Sequence, residues 1–278
     1  MSQWFFTSDL HGQGELYEQV LSLATEQRPA AVILGGDLAP HGTGAPGVQH
    51  QRVFLEGFLV EFARRLRESV PGIELMLLMG NDDWAANQDV LERHHGGLWH
   101  SLHGRAIEVQ GTHVAGSSWV PITPFSIKDW ERWEDGEDEA PARLNGWLSS
   151  EEGVRDFRFE PERRTPTIAE ALGELATQAP AADSIFVLHS PPRDTACDVI
   201  STRQHVGSRA IRDFVEAQQP RLVLSGHIHE SPRVSGSWRD SLGCTPVVNP
   251  GQFGTPKLCG VWFDPRNPDE TLRHTVHP

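Results

Sequence analysis

Five short apolar runs, at residues 4–7, 31–34, 75–79, 184–188 and 222–224, each end in a cluster of Asp, Asn, His and Gly. WFFT leads into SDLHG, with Asp9 and His11, and AVIL leads into GGDLAPH, with Asp37. LMLLM leads into GNDD, with Asn81, Asp82 and Asp83. IFVL leads into HSPP, with His189, and LVL leads into SGHIHE, with His227 and His229. A short, unbroken apolar run reads as a strand covered on both faces. In open α/β sheets ligands bind beyond the carboxyl ends of strands, so five such ends can converge on one site although they are far apart in sequence.

Helical spacing separates these runs. Residues 14–25 and 53–66 carry apolar stripes at helical period, and 168–175 and 208–217 are shorter examples, the last with Ser208 as its N-cap. Weaker strand signals lie at 106–109, 113–116, 247–249, 260–263 and 271–276. The alternation predicts a layered α/β core in one domain over residues 1–278. Residues 121–166 break the pattern with five prolines and many charges, including an acidic run at 134–139. They read as an inserted charged, Trp-rich excursion: a solvated surface loop or, because Trp119, Trp130, Trp133 and Trp147 cluster there, a lid or partner surface.

Charge narrows the partners. With 38 acidic against 24 basic residues the net charge is −14, which repels long nucleic acid and anionic bilayers. A small phosphorylated substrate stays compatible if bound cations set the local field. Cys197, Cys244 and Cys259 are an odd number without CxxC spacing, neither a disulfide framework nor a zinc knuckle. With no secretory leader pattern and no apolar run long enough to span a bilayer, a cytoplasmic location is expected.

Imidazole, carboxylate and amide oxygen together make a borderline-to-hard ligand set for a divalent metal. In Asp9-x-His11 and His227-x-His229 the alternate spacing puts both side chains on one side if the segment is extended, with Ile228 facing the core. Gly12, Gly35, Gly36, Gly80 and Gly226 allow sharp turns and close approach beside the donors. Each motif alone is commonplace as a turn or a structural histidine. Their joint order, each after an apolar run, is not.

The series Asp9-x-His11, Gly36-Asp37, Gly80-Asn81-Asp82, His189 and Gly226-His227-x-His229 resembles the calcineurin-like metallophosphoesterase superfamily over residues 3 to 251. The resemblance implies a four-layer αββα sandwich, two mixed β-sheets flanked by helices, with two divalent metals at the strand ends. It implies that Asp9, His11 and His229 hold one metal, that Asn81, His189 and His227 hold the other, and that Asp37 bridges them. It further implies hydrolysis of phosphodiesters or phosphomonoesters, nucleotides among them, by a hydroxide bridging the metals, with Asp37 and Asp82 the catalytic candidates. Manganese, iron and zinc all suit the ligand mixture.

One position departs from the pattern. Many relatives read Gly-Asn-His-Asp/Glu, with the histidine near the leaving group, where this chain has Asp82. An ordinary aspartate is ionised at neutral pH and a poor proton donor, and a metal beside it strengthens that preference. Asp82 then orients the site or shapes selectivity. His41, the pair Arg193 and Asp194, the segment 205–208 and Asn249 are further polar residues near the motifs, each with a plainer reading as loop, cap or scaffold. The competing functional reading is a non-catalytic protein-binding scaffold on the same fold. A zinc peptidase is disfavoured, because no HExxH is present.

Overall fold

The computed structural model of the chain describes residues 3–135, 145–150, 152–159 and 165–277. Its strands are β1 Trp4–Thr7, β2 Ala31–Leu34, β3 Glu74–Leu77, β4 His100–Ser101, β5 Arg105–Val109, β6 Thr112–Ser117 and β7 Asn145–Ser150. They continue with β8 Gly153–Arg158, β9 Ser184–Leu188, β10 Leu222–Leu224, β11 Arg239–Leu242, β12 Thr245–Val248, β13 Val261–Phe263 and β14 Arg273–His274. The longer helices are α1 Gly14–Gln27, α2 Gly44–Phe54, α3 Val60–Ser69, α4 Gln88–Arg93, α5 Ile168–Gln178 and α6 Arg209–Gln218.

Two six-stranded sheets result. One has the order β14-β13-β1-β2-β3-β4, the other β11-β12-β10-β9-β6-β5. Strands β1 to β4 run parallel; at one side β13 is antiparallel to β1, and β14 is antiparallel to β13. In the second sheet β6, β9, β10 and β12 are parallel, and β5 and β11 are antiparallel edges. Both sheets are therefore mixed, as expected.

The unbroken apolar runs have a simple cause: each strand feeds two cores. Trp4 and Phe6 point between the sheets, where they join Ile33, Met76, Ile185, Val187, Leu222 and Leu224. Phe5 points the other way, onto a helical layer with Tyr17, Val20, Leu59 and Leu66. On β9, Phe186 and Leu188 turn outward against Leu172, Leu175, Ile211 and Val215 of α5 and α6. Each large side chain so buried contributes about 2 kcal/mol. The layers are thus helix, sheet, sheet, helix.

Boundaries differ from expectation in instructive places. The third run stops as a strand at Leu77, because Leu78 and Met79 peel away toward Gly80 while still buried. The helix expected at 53–66 begins at Gly44 and reaches Ser69, with a wide turn at Leu55–Leu59 joining α2 to α3. Only Arg273–His274 of the segment 271–276 pairs as a strand, since Pro268–Thr271 forms a helical turn.

The excursion 121–166 is buried in part: residues 127–134 are covered, while Pro124, Phe125, Asp135 and much of the 145–158 hairpin are exposed. Lys128, Trp130, Glu131, Arg132 and Glu134 are buried. The Lys128 ammonium donates to both Glu131 carboxylate oxygens, at 2.8 and 2.9 Å, and to the Thr123 carbonyl at 2.7 Å. Paired in this way, the charges can leave water. Trp147 lies on β7, which with β8 forms a separate two-stranded ribbon. Residues 136–139 of the acidic run lie outside the described residues.

Candidate metal centre

Because β1, β2 and β3 are parallel, the loops after them leave the same edge of the first sheet, and those after β9 and β10 leave the matching edge of the second. Backbone bonds lock the loops together. The N–H groups of Asp9, His11 and Gly12 donate to the carbonyls of Gly36, Asp37 and Leu38 at 2.8 to 3.0 Å. The Gly226 N–H donates to the His189 carbonyl at 3.0 Å. The sheets are tied at the site itself: the His227 N–H donates to both Asp9 carboxylate oxygens, at 3.0 and 3.2 Å.

The alternate spacing of the Asp-x-His and His-x-His motifs does not work through extended backbone. Asp9, His11, Asp37 and His227 all have positive φ, between 44° and 64°. The donors are aimed by left-handed kinks, a conformation that costs energy for residues other than glycine and is characteristic of functional loops. Ile228 is buried, as expected. Two glycines make the approach possible. A Cβ on Gly80 would overlap Asp37, and one on Gly226 would overlap Ser8 and Asp9.

All seven side chains expected to hold metal meet here. His11 Nε2 lies 3.2 Å from His229 Nε2 and 3.8 Å from Asp37 Oδ2. His229 Nε2 is 3.3 Å from Asp9 Oδ1. Asn81 Oδ1 is 3.1 Å from His189 Nε2 and 2.5 Å from His227 Nδ1. His189 Nε2 is also 3.5 Å from Asp37 Oδ2, so Asp37 faces both groups. Asp9, His11, Asp37 and His229 each offer a ligand atom, and these atoms lie within 4.8 Å of one another, so the four could hold a metal ion.

The donor set tests whether a cation fits. His189 Nδ1 donates to the Gly35 carbonyl at 2.9 Å, which leaves Nε2 to face two oxygens that can only accept. On the other side two imidazole nitrogens face one another. Such a set favours positive charge, carried by protons on the imidazoles or by a bound cation. Burial opposes charge on His189, yet the Asp37 carboxylate outweighs it and lifts that imidazole to about 9. Burial likewise opposes charge on His229, and Asp9 lifts it to about 9. His227, pressed by burial and by the charge of His189, falls to about 3. Burial would raise Asp37, but the facing imidazoles hold it below the usual carboxylate range. The residues fit divalent cations.

A model of the calcineurin-like phosphoesterase family matches residues 5–231. The chain belongs to this family. TT1561 of Thermus thermophilus is a solved structure 20% identical to it, with a TM-score of 0.59, covering 98% of this chain and 97% of that one. A dimetal phosphatase from Danio rerio is 8% identical, with a TM-score of 0.48 and coverage of 94% and 92%. An archaeal phosphodiesterase is 10% identical, with a TM-score of 0.46 and coverage of 99% of each chain. No curated protein matches the chain significantly. Phosphoesterases of this family depend on a dinuclear metal centre, and this chain has a candidate site for one. Among the described residues, no helix is long and apolar enough to cross a membrane.

Several residues that serve the site were not singled out as donors. Asp83, next to Asp82, turns away and accepts from the N–H groups of Gly80, Leu38 and Ala39, each at 2.9 Å. Burial, and then the charge of Asp37, push Asp83 up to about 7. The Asn249 amide donates to the carbonyls of Cys197, Gly226 and Ile228 and so braces the His227–His229 loop. Gln51 donates to the Asp82 and Pro40 carbonyls and accepts from the Trp84 N–H. The Trp130 indole donates to the Asp83 carbonyl at 2.7 Å, joining the 121–166 excursion to the site. Adjacency to a motif is the signal that marks Asp83. Nothing local marks Gln51, and Trp130 is marked only as one of the clustered tryptophans. His41 sits at the surface with Nδ1 3.0 Å from Asp82 Oδ2. Arg193 and Asp194 form a loose surface pair at 3.9 Å, and Ser208 caps α6.

Proposed function

We propose that the protein hydrolyses phosphodiester or phosphomonoester bonds of small phosphorylated compounds, nucleotides among them, at a centre of two divalent cations. The observation that carries this reading is the meeting of seven donor side chains, from both sheets, whose inward-facing atoms suit bound cations. Asp9, His11 and His229 would hold one cation, Asn81, His189 and His227 the other, and Asp37 would be shared. Cations bound there supply Lewis acidity and activate water at neutral pH.

The chain's own residues do the rest. The Gly35 carbonyl fixes the His189 tautomer so that Nε2 faces inward. The His227 N–H holds Asp9 in place, and the Asp82 N–H holds Asp37 Oδ1 at 2.8 Å. Both carboxylates therefore stay oriented without the substrate. Preorganised groups of this kind cost no rearrangement as charge develops on the phosphoryl group. Cations would also offset the acidic surface for an anionic substrate.

The test is turnover of a chromogenic phosphodiester and of a phosphomonoester by metal-stripped protein given manganese. Asp37→Asn should reduce turnover by several orders of magnitude, and His189→Ala should remove most of it by emptying one metal position. Two bound metals with no turnover across a panel of cyclic nucleotides, diesters and monoesters would favour the protein-binding scaffold. Wild-type turnover in His189→Ala with both metals retained would overturn the ligand assignment.

A further inference from the structure

Asp82 occupies a position that the site geometry singles out. Its backbone N–H donates to Asp37 Oδ1 at 2.8 Å, and its side chain meets three more groups. Oδ1 accepts from Asn81 Nδ2 at 3.3 Å. Oδ2 lies 3.0 Å from His41 Nδ1 and 3.9 Å from His11 Nδ1. His11 Nδ1 is buried and has no hydrogen-bond partner, while Nε2 of the same ring faces His229 and Asp37. The exposed His41 ring is stacked on His11, with centroids 4.2 Å apart.

These contacts solve an orientation problem. An amide can present either oxygen or nitrogen to a metal, and only the oxygen can bind. With Asn81 Nδ2 held by Asp82, Oδ1 is the atom turned toward His189 and His227. A ligating imidazole is commonly fixed by a carboxylate on its other nitrogen, which sets the tautomer and raises basicity. Asp82 Oδ2 stands 3.9 Å from the outer nitrogen of His11, beyond hydrogen-bond reach, so it acts on that ring through its charge. One side chain thus bonds a donor of one group and lies near a donor of the other, and its backbone reaches the carboxylate between them.

We infer that Asp82 is a positioning residue, whose carboxylate orients Asn81 toward its cation and sets the charge beside His11 while His41 holds that carboxylate in place. The inference rests on the dinuclear reading above. It removes Asp82 from contact with the substrate and places its effect on metal affinity.

The experiment uses full-length protein stripped with a chelator and titrated with cobalt(II), followed by calorimetry and visible absorption. Asp82→Ala should bind cobalt about 10- to 100-fold more weakly, as loss of an outer carboxylate does elsewhere. Its absorption bands should shift, since they report how the donors are arranged. The metal-free protein should melt as the wild type does. His41→Ala removes only the outer brace and should weaken cobalt binding less than Asp82→Ala. Wild-type affinity and spectrum in Asp82→Ala would overturn the inference, and so would intact cobalt binding with a reduced kcat, which would place Asp82 on the substrate. A lowered melting point of the metal-free variant would reduce Asp82 to a structural residue. A loss in His41→Ala equal to that in Asp82→Ala would move the role to His41. Wild-type protein that takes up no cobalt would overturn the dinuclear reading and this inference together.

Discussion

His103 is wedged edge-on against Trp119 and Trp130, with ring centroids 4.6 and 4.9 Å away, and its Nδ1 accepts from the Ser118 N–H at 3.0 Å. Burial, and then the charge of Arg132, push this imidazole down to about 4. The folded protein therefore keeps His103 neutral while the unfolded chain takes a proton near pH 6.5. The unfolded state binds more protons between those limits, so stability rises with pH from about 4 to 6.5 and is lost as pH falls through that window. The contribution is about 3 kcal/mol at most. His103→Asn keeps an acceptor near the Ser118 N–H and removes the titration. The difference in urea midpoint between pH 5 and pH 7 should shrink in this variant; an unchanged difference would refute the assignment. At this scale the sequence was legible where a residue's type states its job. Asp9, Asp37 and the four histidines are residue types that can serve as metal donors, and the structure brings their side chains together. Asp83 is marked by its motif but its role was not legible, and Gln51 is not marked at all, because their work is to receive or supply backbone hydrogen bonds whose positions exist only in the folded loops.

Among the elements, α6 shows how the 121–166 excursion is tied down. The Ser208 hydroxyl accepts from the Ile211 N–H at 3.1 Å and donates to a Glu134 carboxylate oxygen at 2.5 Å. The same carboxylate accepts from the N–H groups of Arg209 and Ala210, each at 3.1 Å. A carboxylate over free N–H groups at a helix start is favoured by hydrogen bonding and by the helix dipole. Ser208→Ala should cost about 1–2 kcal/mol. Glu134→Gln should cost a similar amount, about 1 kcal/mol. Because the two side chains share one network, the double variant should lose less than the sum of the single losses. Strictly additive chemical-denaturation free energies would show that the two act separately. The helix and its cap were readable, since Ser before an apolar stripe is a local signal. The Glu134 contact spans 74 residues and left no local trace. Strands fed from both faces were equally readable, and β1, β2, β9 and β10 have the limits their apolar runs indicate. Strand β4, the β7–β8 ribbon and the edge strand β11 carry little continuous apolar character, because they are short or exposed, and pairing alone defines them.

For the molecule as a whole, the chain builds its sheets largely one after the other. Strands β1 to β4 precede β5 to β12, and only β13 and β14 return to the first sheet. The proposed ligands divide the same way: Asp9, His11, Asp37 and Asn81 follow strands of the first sheet, His189, His227 and His229 those of the second. Between the sheets lies an apolar core with no preferred bond direction, whereas the donors join the sheets at defined distances. Cations in that centre would link the two sheets and bind only the folded chain. Mass action then fixes the size of the effect: at a hundred times the dissociation constant, stability should rise by about 2.7 kcal/mol. For a domain of this size that corresponds to roughly 5–10 °C in Tm. Scanning calorimetry of chelator-treated protein, with and without manganese, measures the shift directly. His189→Ala and Asp9→Ala each remove a donor from a different sheet and should each reduce it. A shift that survived intact in both variants would mean that the metal binds elsewhere, and the two sheets would then be held by their apolar core alone.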